Sequence, residues 1–140
     1  MDMLDTLASI AADLTGALSA KDRYQRLLGA LHRIIPFDAA ALLRLEGEAL
    51  IPLASHGLLP TAMGRRYARS DHPRLDRICD SHEPVWFDSD SSLPDPFDGL
   101  LAKDAEALHH IHACLGCPLY VDEKLVGALT CQFGRRTAWL

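Results

Sequence analysis

The residues best suited to chemistry in this sequence are two carboxylates three positions apart, Asp95 and Asp98, in the heptad Leu-Pro-Asp-Pro-Phe-Asp-Gly at residues 93–99. Pro94 and Pro96 stiffen the segment, since proline fixes its own φ and pushes the preceding residue toward an extended conformation. Carboxylates held in a stiff backbone suit a cation. Asp and Pro are also ordinary turn residues, and from this heptad alone a plain turn is the more frequent outcome.

Four cysteines, Cys79, Cys114, Cys117 and Cys131, are the next candidates. The sequence shows no secretory features, so we expect reduced thiols or metal ligands rather than disulfides. Cys114 lies in an apolar predicted strand, where a buried cysteine is commonly just a small core residue. The spacing of Cys114 and Cys117 matches half of a zinc site, but no second Cys or His pair follows at the expected distance. A thioredoxin-type motif would need a helix where a strand is predicted.

Histidines can supply imidazole to a metal, and four of them are candidates: His72, His109, His110 and His112. Each alone is more often a surface or hydrogen-bonded residue than a ligand. In a strand, side chains two residues apart share a face, so His112 shares the face of Cys114. His112 is therefore the better reserve ligand, and His72 is another.

Composition indicates one globular domain. Of the 140 residues, 49% are hydrophobic and 24% charged, which allows a real core but not two ordinary domains. The formal net charge of −5 lacks the basic footprint of a nucleic-acid binder. No apolar run approaches the roughly 18 residues of a membrane span, and Asp2 and Asp5 stand where a signal peptide carries positive charge. We expect a cytoplasmic protein without a nucleic-acid or membrane partner.

Hydrophobic periodicity predicts helices first and then a mainly antiparallel sheet. An amphipathic pattern over residues 3–18 predicts one helix, and a broad apolar stripe that ends at Pro36 predicts a second. Short apolar runs between turn residues predict strands. These strands are residues 39–45, 49–54, 85–87, 111–121 and 125–133, with helical pieces within 58–69, 75–81 and 102–108 and a long loop at 88–101.

This order of elements predicts a single α+β domain over residues 1–140, with a sheet of five or six strands. Residues 1–35 are the helices, residues 38–133 the sheet with its insertions, and residues 134–140 a tail. Loops as long as 88–101 are uncommon unless they are functional or disordered. The loop contains the heptad with Asp95 and Asp98.

The hairpin near the C-terminus resembles the closing signature of GAF domains, with Gly-Cys-Pro-Leu at 116–119 and Leu-Val-Gly-Ala-Leu at 125–129. Four more specific motifs occur in order upstream. Together they resemble the N-terminal sensory GAF domain of NorR-type, nitric-oxide-responsive transcription regulators, over nearly the whole chain. The motifs are Gly-Arg-Arg at 64–66, His-Pro-Arg-Leu at 72–75, Leu-Pro-Asp-Pro-Phe-Asp-Gly-Leu at 93–100 and His-Ala-Cys at 112–114.

The resemblance implies a GAF fold, with N-terminal helices on one face of the sheet and a ligand pocket covered by helix and loop on the other. It also implies a regulatory domain that holds a mononuclear non-haem Fe(II), binds nitric oxide there and releases an attached sigma54-type ATPase domain. Carried over motif by motif, the iron site is Arg74, Asp95, Asp98 and Cys114. A guanidinium has no acceptor, so on chemical grounds Arg74 partners a carboxylate, although the resemblance allows direct ligation. Spacing alone leaves an ordinary salt bridge open for Arg74.

The family pattern has a fifth site residue, an aspartate, at the position where this chain has Gln132. A neutral amide is a weaker ligand than a carboxylate, which lowers the expected affinity for Fe(II). Strand alternation lets only one of Cys131 and Gln132 point into the pocket, so a one-residue bulge would substitute the Cys131 thiolate. The tail at 134–140 departs from the family too, which continues into a closing helix, the ATPase and a DNA-binding helix-turn-helix. We expect an isolated sensor domain.

Three functions are open at this point. The leading hypothesis is a non-enzymatic sensor that binds Fe(II) and nitric oxide. The second is a GAF module that binds a small organic ligand or only a partner protein, with Asp95 and Asp98 structural. The third is a thiol-dependent methionine sulfoxide reductase, which is disfavoured because the cysteines form no recognisable nucleophile and resolving pair. The amphipathic first helix also predicts a homodimer.

Overall fold

Three helices and six strands make up the part of the chain that the computed structural model describes, which is residues 2–13, 21–100 and 113–134. Every strand pairing in the sheet is antiparallel, in the order β3-β2-β1-β6-β5-β4. Two 3-10 turns, Pro60–Gly64 and Arg69–Asp71, flank β3. The elements are α1 (Met3–Asp13), α2 (Lys21–His32), β1 (Ala39–Glu46), β2 (Ala49–His56), β3 (Tyr67–Ala68), α3 (Pro73–Asp80), β4 (Val85–Phe87), β5 (Ala113–Val121) and β6 (Lys124–Phe133).

This architecture confirms the predicted α+β class. The strands predicted at 39–45, 49–54 and 125–133 are β1, β2 and β6, each one or two residues longer than predicted. The predictions for residues 14–18, 102–108 and 111–112 lie outside the described residues. Within the described ranges, no helix has the length and apolarity needed to cross a membrane.

The turn between β5 and β6 sets which residues of these two strands face each other. Asp122 and Glu123 both have positive φ, 52° and 64°, as expected for the two central residues of a type I′ turn. Val121 therefore pairs with Lys124. A register shift at Leu119/Tyr120 then moves the pairing by one residue, and beyond it Cys114 lies directly opposite Gln132.

The sheet carries a separate hydrophobic core on each face. On the first, which we call the helix face, residues of α1 and α2 pack on the central strands. On the second, the loop face, α3 and the loop at residues 88–100 cover the sheet. Gly116 in β5 permits close approach of α3, because a Cβ there would overlap the side chain of Ile78. The helix-face core includes Ile10, Tyr24, Leu28, Leu31, Leu42, Leu129 and Cys131, and the loop-face core includes Leu43, Leu75, Ile78, Phe97 and Cys114.

Candidate functional site

Four elements bring polar side chains together inside the loop-face core. Arg74 comes from α3, Asp95 from the loop, Cys114 from β5 and Gln132 from β6. All four are buried, with 2% of Arg74 and 4% of Asp95 exposed and the other two fully enclosed. Buried polar groups are retained only when they are paired or functional, so this cluster is the candidate site.

The loop holds Asp95 through a local turn and one buried ring. The Phe97 N–H donates to Asp95 Oδ1 at 2.8 Å, and the Asp98 N–H donates to the Asp95 carbonyl at 3.2 Å. Phe97 is fully buried and meets the Tyr67 ring edge-on, with centroids 5.2 Å apart. The Asp95 side chain therefore makes a turn and also lies inside the cluster. The turn is one of the two uses that the heptad suggested.

Arg74 connects α3 to this loop. It follows Pro73, which begins the helix, and its Nε donates to the Leu93 carbonyl at 2.7 Å. Its Nη1 lies 3.4 Å from Asp95 Oδ2, and its Cζ lies 5.1 Å from the centroid of the Phe87 ring. The guanidinium is thus placed as the counter-ion of Asp95, fixed by a carbonyl and a cation–π contact.

Cys114 and Gln132 complete the cluster on the sheet. The Gln132 Nε2 donates to Cys114 Sγ at 3.6 Å, and Thr130 Oγ1 donates to Gln132 Oε1 at 3.5 Å. Thr130 and Gln132 share a face because they are two residues apart in β6. The Gln132 amide is oriented by these contacts, with its nitrogen toward the thiol.

Burial dominates the electrostatics of the site. It raises the pKa of Asp95 to about 6, helped by the nearby negative charge of Asp98 and opposed by the Phe97 N–H, the Arg74 guanidinium and the Gln132 amide. Burial also raises the pKa of the Cys114 thiol well above its ordinary range, and the Asp95 carboxylate raises it further. Cys114 is therefore a neutral thiol at neutral pH. The site encloses two acidic groups whose charged forms are disfavoured and one cation.

The remaining predicted site residues lie outside this cluster or outside the described ranges. Asp98 is exposed. Cys131 packs in the helix-face core, and the register shift between β5 and β6 at Leu119/Tyr120 leaves Gln132, not Cys131, opposite Cys114. His72 packs against the Tyr67 ring at an interplanar angle of 59°, with centroids 5.2 Å apart. His109, His110 and His112 are not among the described residues.

Three contributors were missed by sequence reasoning. They are Thr130, the Phe87 ring and the Leu93 carbonyl. Thr130 was accessible in principle, because strand alternation places it on the face of Gln132. The other two depend on how α3, β4 and the loop pack together, which no local pattern reports.

The cluster fits a ferrous ion in the type of its donors but is not an assembled metal site. Asp95 supplies a carboxylate, Cys114 a thiol and Gln132 an amide oxygen, a mixed set of hard and soft donors suited to a redox-active transition metal. A bound divalent cation would favour the ionised forms of Asp95 and Cys114, which burial disfavours in the metal-free site. Within the described ranges, no three His, Cys, Asp or Glu side chains are arranged to hold a metal ion. Binding would need Asp98 or another donor to move inward.

Comparison with known proteins identifies the class to which this fold and site belong. The model of the GAF domain family matches residues 19–140, so the chain belongs to the GAF domain family. It is 48% identical over 126 residues to the anaerobic nitric oxide reductase transcription regulator NorR of Aeromonas hydrophila, and 47% identical to that of Aliivibrio fischeri. Both matches cover 90% of this chain and 24% of the relative. The chain thus spans about a quarter of the length of the curated relatives it matches.

Solved structures agree on the fold. The chain superposes on a GAF domain/HD domain protein from Geobacter sulfurreducens with a TM-score of 0.67, at 20% identity, covering 91% of this chain and 82% of the other. A GAF domain of a phosphoenolpyruvate-protein phosphotransferase from Coxiella burnetii gives a TM-score of 0.64 at 21% identity, covering 95% and 78%. These matches establish the GAF fold, which was predicted from the sequence motifs.

Proposed function

We propose that this chain is a cytoplasmic, non-enzymatic sensory domain that binds one ferrous ion on its loop face, senses nitric oxide there and thereby controls a sigma54-type transcription-activating ATPase. The observation that carries the proposal is the burial of Asp95, Cys114 and Arg74 in one cluster. The identity of 48% to a nitric oxide reductase transcription regulator supports the choice of signal. Charged and ionisable groups are rarely enclosed in a core without a purpose.

Each residue of the cluster has a distinct role in this proposal. Asp95 and Cys114 would be the anionic donors, with Asp98 moving inward from its exposed position and Gln132 adding a neutral oxygen. Arg74 orients Asp95 and limits the negative charge around it. Bound ferrous iron would supply open coordination positions that can take a diatomic molecule. Phe97 and Ile78 belong to the same buried core as Cys114, and such a core would keep bulk water from the cluster.

The direct test is anaerobic addition of Fe(II) to metal-free protein, followed by nitric oxide and electron paramagnetic resonance. The proposal predicts a paramagnetic signal of about one spin per chain that requires both Fe(II) and nitric oxide. No signal at stoichiometric iron would contradict it. Gln132→Asp should raise Fe(II) affinity about tenfold or more, because it adds one negative charge to the donor set.

A second candidate is a metal-free GAF module that regulates by binding a small organic ligand or a partner protein. One observation favours it, since the described contacts already pair Asp95 with Phe97 and Arg74, and Gln132 with Cys114. Iron-independent regulation would leave the protein without stoichiometric Fe(II) after reconstitution. Retention of an organic molecule on purification would then favour this reading.

We also propose a homodimer formed through α1. Leu4 on this helix is 71% exposed, which is unusual for a large apolar side chain, and it lies between the exposed residues Asp2 and Asp5. Light scattering should show a dimer that Leu4→Glu converts to a monomer. A strictly monomeric wild-type protein would remove this part of the proposal.

A further inference from the structure

A short chain of hydrogen bonds runs from the buried cluster to the end of the sheet through Asp38. The Asp38 N–H donates to the Gln132 carbonyl at 2.9 Å, just before Ala39 pairs with Gln132 in the β1–β6 ladder. The Asp38 carboxylate in turn accepts from the Gly134 N–H, with 2.6 Å between Oδ2 and N. One residue therefore contacts the backbone of a site residue and the first residue after β6.

The backbone at Asp38 is itself tightly held. Gly57 has a φ of +78° at the end of β2, and a Cβ there would overlap the Asp38 carbonyl. On the other side, Phe37 is buried against the rings of His32 and His56, with centroids 4.7 and 5.6 Å away. With its backbone packed closely on both sides, Asp38 has little room to absorb shifts of its partners.

Gln132 belongs both to the buried cluster and to this chain of hydrogen bonds. Its side chain donates to Cys114 inside the site, and its carbonyl accepts from the Asp38 N–H at the end of the β1–β6 ladder. A change in what Cys114 binds must reorient the Gln132 amide or move its backbone. Coupling of this kind is carried by contiguous hydrogen bonds between rigid elements.

We propose that Asp38 is a positioning residue that couples the state of the buried site to the direction in which the chain leaves the sheet at Gly134. The inference rests on the proposed function for its meaning, since a sensory domain must pass its signal to the segment that follows. In the relatives the shared region is 24% of the length, so a sensory domain in such a protein has further chain on which to act. The carboxylate suits the role because charge-assisted hydrogen bonds to backbone N–H groups are stronger than neutral ones.

The test is a double-mutant cycle on amide hydrogen exchange at Gly134, measured by NMR on metal-free protein. Cys114→Ala removes the partner of the Gln132 amide and should speed Gly134 exchange about fivefold when Asp38 is present. In the Asp38→Ala background, the same substitution should change the exchange rate by less than about twofold. Cys117→Ala deletes a buried thiol from the other face of the same strand and serves as the matched control. The ratio of the Gly134 exchange rate with this substitution to the rate without it should be near one in both backgrounds.

Two results would overturn the proposal. One is an equal effect of Cys114→Ala with and without the Asp38 carboxylate, and the other is an equal effect of Cys117→Ala. If Asp38→Ala does not fold, Asp38→Asn decides, because its neutral oxygen makes a weaker bond and should give a ratio below that of the wild type. A ratio in Asp38→Asn equal to that of the wild type would then overturn the proposal. Since no iron is used, failure here leaves the proposed iron site untouched, and failed iron binding with intact coupling overturns only that site.

Discussion

The two faces of strands β5 and β6 place buried cysteines in different surroundings. On the helix face, Cys117 and Cys131 pack among apolar side chains, and on the loop face Cys114 meets Gln132 and the Arg74–Asp95 pair. Burial raises the thiol pKa on both faces, to about 11 for Cys117. Burial alone therefore does not mark a functional cysteine. Charged neighbours distinguish Cys114 from Cys117 and Cys131, and they are on one face only among the described contacts of these strands.

The largest expected effect on stability comes from removing the buried positive charge of Arg74 on the loop face. Arg74→Met should lower the free energy of unfolding at pH 7.5 by about 3–5 kcal/mol, because it leaves the Asp95 carboxylate buried without its cation. At pH 5 the loss should be smaller, since Asp95 is then mostly protonated. Urea unfolding at both pH values measures this. Arg77→Met, at an exposed position of the same helix, should change stability by no more than about 0.5 kcal/mol. Equal losses at the two pH values would show that charge is not the cause.

The loop face should also give metal-free protein an unusual pH dependence. The pKa of Asp95 is raised from 3.8 to about 6, so the folded state binds the proton more tightly than the unfolded state. The stability from this residue is fully present below about pH 3.8 and is lost as the pH rises through about 6, on the order of 3 kcal/mol in all. Asp95→Asn should flatten the profile between pH 4 and 7. A variant profile parallel to that of the wild type would contradict this.

Packing on the loop face can be tested with a substitution that changes no charge. Gly116→Ala should destabilise the domain by about 1–3 kcal/mol, because the added methyl overlaps Ile78 beneath α3. Combining it with Ile78→Val should recover part of the loss. Gly64→Ala is the control, since a Cβ there meets nothing within 4 Å. Equal midpoints of thermal unfolding for Gly116→Ala and Gly64→Ala would contradict the close approach of Ile78 to Gly116.

The smallest effect is expected on the helix face and has the opposite sign. Gly29 lies in the interior of α2, and a Cβ there meets nothing within 4 Å. Gly29→Ala should therefore stabilise the protein by up to about 1 kcal/mol, through helix propensity. Chemical denaturation should show a higher midpoint with an unchanged slope. A lower midpoint would mean that this face is packed more tightly than its contacts indicate.

Much of the fold followed from local patterns. Apolar runs between turn residues located β1, β2 and β6, and Pro73 marked the start of α3. The two-residue strand β3 was missed because a segment that short has no periodicity of its own. It exists through pairing with β2, a tertiary contact.

The site was less accessible to local reasoning. Asp95, Arg74 and Cys114 were selected by the family motifs, while the heptad alone favoured a turn, and the structure contains that turn at Asp95. The heptad also gave no sign that Asp95 is buried and Asp98 exposed. That difference arises because Phe97 is anchored in the core and Gly99 turns the backbone with a φ of +80°. Both depend on the packing of the loop as a whole.

The central claim is that the loop face, and not the helix face, holds the metal. The most direct measurement is bound iron per chain after anaerobic Fe(II) addition and desalting, compared between Cys114→Ala and Cys117→Ala. The claim predicts about one iron per chain in the wild type and in Cys117→Ala, and loss of that iron in Cys114→Ala. Stoichiometric iron that survives Cys114→Ala, or no iron in the wild type, would contradict it.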